Sequence, residues 1–324
     1  MLVLTNFAEF PKKWCSASGI DGESRYIRGI WDIFRFSRQA QFIIIDCDVY
    51  LTLQVAALYL LFPFLRRPVL VNDLVLRRPA TCKARLTAPI KRFLLSRVDH
   101  FTFYFRDLTG YEKYFGIGPE RSSYVPFKPN IRSRYKYSVS SEGEYILCFG
   151  RSERDYDSFF AAMAELPYPA AIPQPNFEQL RQHGSRFTWA LEELPPNVRV
   201  LQDGGTVDSL IRIIEKAKLV VLPLLGSRIS PSGIGTYLNA MLLGKCVVLT
   251  AGPAASDLLN EEVILVAPEN PKALKEAIQR AWEDDDLRCR TARAGQRYSE
   301  SCGGEPELRQ RVLERALERL FAGH

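Results

Sequence analysis

Short, continuously apolar runs alternate along this chain with longer amphipathic stretches. Leu2–Thr5, Phe42–Asp46, Pro68–Asn72, His100–Phe105 and Ser123–Phe127 are predicted strands. The basic, polar stretch from Lys128 to Glu144, with Pro129, Ser138, Ser140, Ser141 and Gly143, breaks the rhythm as a linker would. A second set follows: Tyr145–Phe149, Ala170–Ile172, Val198–Leu201, Leu219–Leu225, Cys246–Thr250 and Val263–Val266. Strands that lack polar alternation and are separated by helical periods form parallel sheets covered on both faces. The expected fold class is therefore α/β, with two doubly wound Rossmann-like domains facing across a cleft. Ligands in such folds bind at the carboxyl ends of the strands. The expected domains are residues 1–128, a linker at 129–144, residues 145–300, and a C-terminal helix within 301–324.

Composition agrees with two soluble cores. The chain has 324 residues, 47% apolar and 25% charged, enough for two domains. Its seven cysteines (15, 47, 82, 148, 246, 289 and 302) include no Cys-x2-Cys pair, which points to buried thiols in a reducing cytoplasm. Met1–Thr5 has no basic region before it, so no secretory signal is expected. The longest apolar stretch, Val49–Leu65, carries Thr52, Gln54 and Pro63 and is expected to be a buried helix rather than a membrane span.

The chemistry concentrates at Ser230–Met241. A Gly-rich turn, Ser232-Gly233-Ile234-Gly235-Thr236, opens a helix between two buried strands. Unpaired N–H groups at a helix start, the helix dipole and side-chain-free glycines together form a diphosphate cradle. Arg151 and Arg154 follow the Tyr145 strand, where a guanidinium can reach the diphosphate and neutralise charge on a departing nucleotide. The competing reading pairs them on the surface with Glu153, Asp155 or Asp157.

Five blocks in register then carry a resemblance. They are Phe149-Gly150-Arg151 with Arg154, Asn197–Asp203, Glu215–Pro223, Asn239–Val248, and Val266–Leu274 with Trp282–Arg288. Over roughly 150 residues this half resembles the nucleotide-binding domain of GT-B glycosyltransferases, and in particular resembles the retaining group with a Glu-x7-Glu turn. Asn239 stands at the second glutamate and Pro231 eight residues before it, so both glutamates are replaced. The Gly233-x-x-Thr236-x-x-Asn239 spacing also resembles the turn of the lipid-linked GlcNAc transferases. The resemblance implies that Gly150, Ser232, Gly233, Ile234, Gly235 and Thr236 hold the donor diphosphate. It implies that Asn239 meets the ribose, or is bonded locally, and that Gln202 and Asp203 lie where the base is cupped. The implied donor is a nucleotide sugar, taken as a UDP-sugar, and no metal or other cofactor is expected. The C-terminal helix would cross back onto the first domain.

Catalytic candidates are scarce. None of the three histidines, His100, His183 and His324, falls in a motif. An inverting transfer needs a general base for the acceptor hydroxyl, whereas a front-face retaining transfer uses the departing phosphate oxygen. The scarcity favours retention. Asp73, with Asp46 and Asp48, is the nominated protein base, the alternative being that each is a helix cap or loop residue. The Asp-x-Asp pair Asp46-Cys-Asp48 lies in the acceptor half, so it is not expected to hold Mg²⁺.

Charge adds a partner. The net charge is +6, yet residues 65–98 hold nine Lys/Arg against Asp73 alone, an excess of 9 − 1 = 8. Within it, Thr87–Val98 places apolar residues 90, 93, 94 and 98 on one helical face beside Lys91 and Arg92. Such a helix lies on an anionic membrane or packs on a core with a solvated basic face. The expectation is a cytoplasmic transferase, peripheral at the membrane, acting on a glycan, lipid-linked or other anionic acceptor, with no nucleic-acid partner. A nucleotide-sugar epimerase and a catalytically silent binding partner are the alternatives.

Overall fold

The computed structural model describes residues 1–131, 138–139, 142–202, 204–226 and 228–321. The chain divides into unit 1, residues 1–126 with 305–324, and unit 2, residues 127–304. Asp203, Ser140 and Ser141 lie outside the described residues.

Unit 1 is built on seven strands: β1 (Leu2–Thr5), β2 (Lys13–Cys15), β3 (Asp21–Tyr26), β4 (Phe42–Asp46), β5 (Val69–Asn72), β6 (His100–Phe103) and β7 (Ser122–Tyr124). Their order is β2-β3-β1-β4-β5-β6-β7. Helices α1 (Ile30–Phe36), α2 (Val49–Leu61), α3 (Cys82–Leu95) and α4 (Thr109–Phe115) connect them. β4, β5 and β6 are buried almost throughout, as uninterrupted apolar runs should be. The expected all-parallel sheet is corrected at one edge, where β2 pairs antiparallel with β3. β3 is polar and exposed (Asp-Gly-Glu-Ser-Arg-Tyr), so nothing in its apolar pattern announces it. Its anchor is Trp14, buried against the backbone of Gly22, where a Cβ would stand 2.0 Å from the indole.

The strand expected at Ser123–Phe127 is instead Ser122–Tyr124, ending before Pro126, which has no N–H to donate. The apolar stretch from Val49 forms α2, capped by Asp48, whose carboxylate accepts from Leu51 N at 2.8 Å; the helix ends at Leu61, before Pro63. Among the described residues no helix is long and apolar enough to cross a membrane. α3 runs through Pro89 and buries Ala88 and Leu95, while Ile90 and Phe93 face outward. The face expected at 90, 93, 94 and 98 is thus only partly the inner one.

Unit 2 has six parallel strands: β8 (Tyr145–Cys148), β9 (Ala170–Pro173), β10 (Val198–Leu201), β11 (Ala217–Leu222), β12 (Cys246–Thr250) and β13 (Ile264–Val266). The order is β10-β9-β8-β11-β12-β13. Helices α5 (Tyr156–Met163), α6 (Phe177–Gln182), α7 (Val207–Lys216), α8 (Ile234–Leu242), α9 (Pro271–Glu283) and α10 (Asp285–Ser301) surround it. Its core joins Phe159, Phe160, Met163, Val221, Val248 and Ile278, all fully buried. The chain winds outward from β8 through β9 to β10, then restarts on the other side with β11. The crevice of this switch point therefore opens between the carboxyl ends of β8 and β11.

The last helix, α11 (Glu305–Phe321), belongs to unit 1. It buries Leu308, Val312, Leu313, Ala316 and Leu317. Glu314 accepts from Ala17 N at 2.6 Å, Arg311 donates to Pro126 O at 3.2 Å, and Phe321 meets Phe42 edge-on at 5.6 Å.

Candidate functional site

β8 and β11 deliver two loops to the same place. After β8 the chain turns at Gly150, whose φ of +111° and closeness to Arg154 (2.4 Å from Nη2 to a Cβ built there) admit no side chain. The turn is held by Tyr156, which donates to Gly150 O at 2.7 Å. After β11 the loop reaches Gly233, left-handed at φ +87°, which is the N-cap of α8 and offers no side chain to its first N–H groups. Those donors are left for a ligand.

The two loops line one cavity of about 580 Å³ within unit 2. Of the residues expected at the donor site, Gly150, Arg151, Arg154, Gly233, Gly235, Thr236 and Asn239 line it together. Ser232 does not: its hydroxyl donates to Glu153 Oε2 at 2.6 Å and ties the cradle to the β8 loop. Ile234 is buried beneath the turn. Gln202 is outside the lining, one hydrogen bond away, with Nε2 donating to Gln174 at 3.3 Å.

The two arginines differ. Arg154 is 1% exposed and holds both loops, donating to Phe149 O at 3.0 Å, Ser152 O at 2.8 Å and Thr236 Oγ1 at 3.0 Å. Burial lowers its pKa, so the cation is retained against a desolvation cost. Arg151 is exposed, and among the described residues it is in no ion pair. Its proposed surface partners are engaged elsewhere. Asp155 is bound by Arg186 at 2.7 Å, Asp157 accepts from Thr188 N at 2.8 Å, and Glu153 takes the Ser232 hydroxyl.

Asn239, in α8, is 6% exposed. Its Oδ1 accepts from Asn130 N at 2.7 Å and Ile131 N at 3.2 Å, which fastens the segment after residue 127 to the cradle helix. Only its amide nitrogen is left to a ligand. The neighbouring Gly235 is where a Cβ would meet Asn130 Nδ2 at 2.2 Å.

Three features escape sequence reasoning. Pro173, the last residue of β9, and Gln174, Pro175 and Asn176 after it form the far wall of the cavity. Arg228, buried in the loop before the cradle, donates to Ala251 O at 3.0 Å and is pushed down to about 10 by burial. Glu153 adopts φ +53°, a strained conformation for a glutamate at a site that two loops share. The one available signal was the Pro-rich run Pro173-Gln-Pro175 at a strand end.

Asp73 belongs to unit 1, at the end of β5, with φ +48°. Cys47, at φ +50°, donates its thiol to Asp73 Oδ2 at 3.5 Å. Burial pushes Asp73 up to about 7, partly offset by the Cys47 hydrogen bond and reinforced by the Asp46 charge. Asp46 is raised mainly by burial and accepts from Asn72 Nδ2 at 2.6 Å; Asn72 also reaches Tyr104 OH at 2.7 Å. Asp48 is spent on capping α2. No group of three His, Cys, Asp or Glu with metal-ligand geometry stands among the described residues.

Comparison with known proteins bears on this geometry. Residues 144–284 match the family described as "Glycosyl transferases group 1". No curated protein matches the chain in sequence. In fold it is similar to sucrose-phosphate synthase from Thermosynechococcus elongatus (TM-score 0.63, 14% identity, 100% of this chain and 89% of that one). It is similar also to Anabaena HepE in complex with UDP-glucose (0.63, 14%, 97% and 98%) and to the lipopolysaccharide outer core galactosyltransferase WaaB (0.62, 12%, 98% and 99%).

Proposed function

We propose that this chain, a glycosyltransferase of the GT-B type carrying a group 1 domain at residues 144–284, binds a UDP-sugar in the unit 2 cavity and transfers the sugar with retention. The observation that carries the reading is the convergence of a side-chain-free helix start at Gly233 with Arg151 and Arg154 on one cavity. The diphosphate sits on the α8 N–H groups, and Arg151, unpaired, contacts its oxygens. Arg154 supplies charge from beneath while fixing the two loops. Uridine is supported by HepE, whose structure is in complex with UDP-glucose. The ribose lies toward Asn239 Nδ2 and the base toward the Pro173–Asn176 wall.

In the transfer, the bond between the anomeric carbon and the β-phosphate oxygen breaks as the acceptor hydroxyl adds to the same face. The acceptor proton passes to the departing phosphate oxygen, and UDP leaves. No carboxylate or imidazole lines the cavity among the described residues, which suits a transfer that needs no protein base. The acceptor is a glycan, lipid-linked or otherwise anionic molecule, and the cationic segment 65–98 lies against an anionic membrane surface.

A second reading has its own observation. Asp73 is a carboxyl held near neutrality beside a second left-handed residue, as a general base would be. In that case the product is inverted and Asp73 takes the proton. The anomeric configuration of the product formed from UDP-hexose, read by proton NMR, decides between them. Retention with an active Asp73→Asn variant supports the first reading, and inversion lost in that variant supports the second. Free epimerised sugar, or UDP binding without UDP release, refutes transfer altogether.

A further inference from the structure

The outer helices of unit 1 expose more apolar surface than folding or donor binding uses. Trp31 is 80% exposed, Leu86 77%, Leu61 74%, Ile90 62% and Phe64 60%. They are not scattered. Trp31 meets Phe34 at 6.4 Å, Phe34 meets Phe62 at 5.8 Å and Phe62 meets Phe64 at 6.0 Å, so one aromatic chain links α1 to the end of α2. α2 packs on both α1 and α3, and α3 carries Leu86, Ile90 and Phe93 on its outward face. Contiguous exposed apolar surface of this extent marks an interaction site.

Charge surrounds it. Residues 28–97 contain twelve Lys/Arg and four Asp/Glu, an excess of 12 − 4 = 8. Three of the four acids are engaged inside unit 1: Asp46 with Asn72, Asp48 at the α2 cap and Asp73 with Cys47. Among the described residues none of Arg38, Lys83, Arg85 or Lys91 is in an ion pair. Arg38 lies over the Phe64 ring at 5.4 Å and Arg97 over Phe93 at 5.2 Å, so cations and rings share one surface. Beside the α3 face a second cavity, about 420 Å³, is lined by Arg78, Arg85, Arg92 and Lys113 with no acid. It has the size and sign for a phosphate headgroup.

We propose that unit 1 docks on an anionic phospholipid bilayer, with Trp31, Phe34, Leu61, Phe64, Leu86 and Ile90 entering the interface and the four-cation cavity holding a lipid phosphate. Trp and other aromatics favour the headgroup level, and basic residues flanking an apolar face add electrostatic attraction to anionic lipid. A second copy of the chain is a poor occupant, because a two-fold contact would oppose the same cations to each other. Nucleic acid would leave Leu61, Leu86 and Ile90 without partners. The inference deepens the membrane-side acceptor reading but does not depend on the donor site.

Vesicle flotation of the full chain tests it, using phosphatidylcholine alone and phosphatidylcholine mixed with phosphatidylglycerol. Binding is expected to the mixed vesicles and to weaken with salt. The Arg78→Ala/Lys83→Ala/Arg85→Ala variant should bind at least about a hundredfold more weakly, at about 1 kcal/mol per cation and tenfold per 1.4 kcal/mol. The Trp31→Ser/Phe64→Ser/Leu86→Ser/Ile90→Ser variant should lose binding while keeping its melting curve, since these side chains are outside the core. Equal binding to neutral vesicles, no binding of the native chain, or native binding by either variant overturns the proposal. So does a dimer in sedimentation that the apolar variant dissociates. A UDP titration run in parallel reports on the donor site alone, so the two readings fail separately.

Discussion

Replacing Arg154 by methionine separates its two roles. The native guanidinium donates three hydrogen bonds, to Phe149 O, Ser152 O and Thr236 Oγ1, and is 1% exposed. Bonds from a charged donor contribute about 1.5–3 kcal/mol each, so about 5–9 kcal/mol of gross interaction is lost. Burying a cation with no carboxylate partner costs several kcal/mol in the native protein, and that cost disappears in the variant. Methionine also keeps most of the packed volume. Phe149 O, on a buried residue, is left unpaired at about 1–3 kcal/mol. The lost hydrogen bonds and the returned desolvation are of similar size and largely cancel, which leaves a net loss near the cost of the unpaired carbonyl, about 2–3 kcal/mol. For unit 2, residues 127–304, this corresponds to a melting-temperature fall of about 5–10 °C. Loss of the charge under the diphosphate should raise the UDP dissociation constant about 10- to 100-fold, since a cation about 5 Å from a charge is worth up to about 3 kcal/mol at an effective dielectric of about 20. Arg154→Lys should melt as low as the methionine variant, because it cannot bridge three acceptors, yet keep UDP affinity within about tenfold. Calorimetry and thermal melting of both variants give the answer. A methionine variant with native stability and native UDP affinity would show that Arg154 neither holds the two loops together nor supplies charge to the diphosphate.

Other consequences are narrower. Gly233→Ala places a methyl at φ +87°, 3.4 Å from the Arg154 guanidinium; it should cost about 1–2 kcal/mol and weaken UDP at least about tenfold, and unchanged affinity in a titration would remove the α8 N-terminus from the site. Deleting residues after Ser299 removes α11, whose four buried Leu and Val side chains are worth about 1.5–3 kcal/mol each, comparable with a whole domain's stability. The truncated chain should lose the cooperative melting of unit 1, and a native-like transition would contradict that role. His100, buried and bonded to Ser123 Oγ at 2.8 Å, is pushed down to about 4 by burial, with Arg319, Arg315 and Arg121 adding to the shift. Its folded pKa lies below its unfolded value of 6.5, so its stabilising contribution is present above pH 6.5 and is lost as pH falls toward 4, at most about 3 kcal/mol. Denaturant midpoints for His100→Gln should fall less than native over that window; parallel curves would exclude His100 as the cause.

The alternation of apolar runs and helical periods made the two sheets legible, because β4, β5, β8, β11 and β12 are buried on both faces and need no partner to declare themselves. β2 and β3 stayed hidden for the opposite reason. Apart from the buried Trp14 they are short, largely polar and at least partly exposed, and what fixes them is pairing with β1 and the seat of Trp14 on Gly22, neither of which the apolar pattern announces. In α3 the residues at 90, 93, 94 and 98 marked one apolar face, but Ala88 and Leu95 are the ones buried while Ile90 and Phe93 are exposed, because packing rather than the apolar pattern decides which side turns inward. At the site, glycine positions were legible because left-handed turns at Gly150 and Gly233 require that residue. Arg151 and Arg154 look equivalent in sequence; only the position of Phe149 O and Thr236 distinguishes the exposed cation from the buried one. Asn239 could not be resolved either, since its partners at 130 and 131 lie more than a hundred residues away.

Isothermal titration of UDP into the native chain and into Arg151→Ala, side by side, asks whether unit 2 binds the donor nucleotide through this exposed guanidinium. Arg151 is exposed and in no ion pair among the described residues, so the substitution should leave the fold intact and remove only the charge-assisted contact proposed for the diphosphate, worth about 1.5–3 kcal/mol. The native chain should bind UDP with a dissociation constant below about 1 mM, and the variant at least about tenfold more weakly. No binding at millimolar UDP, or equal affinity in the two proteins, would contradict it.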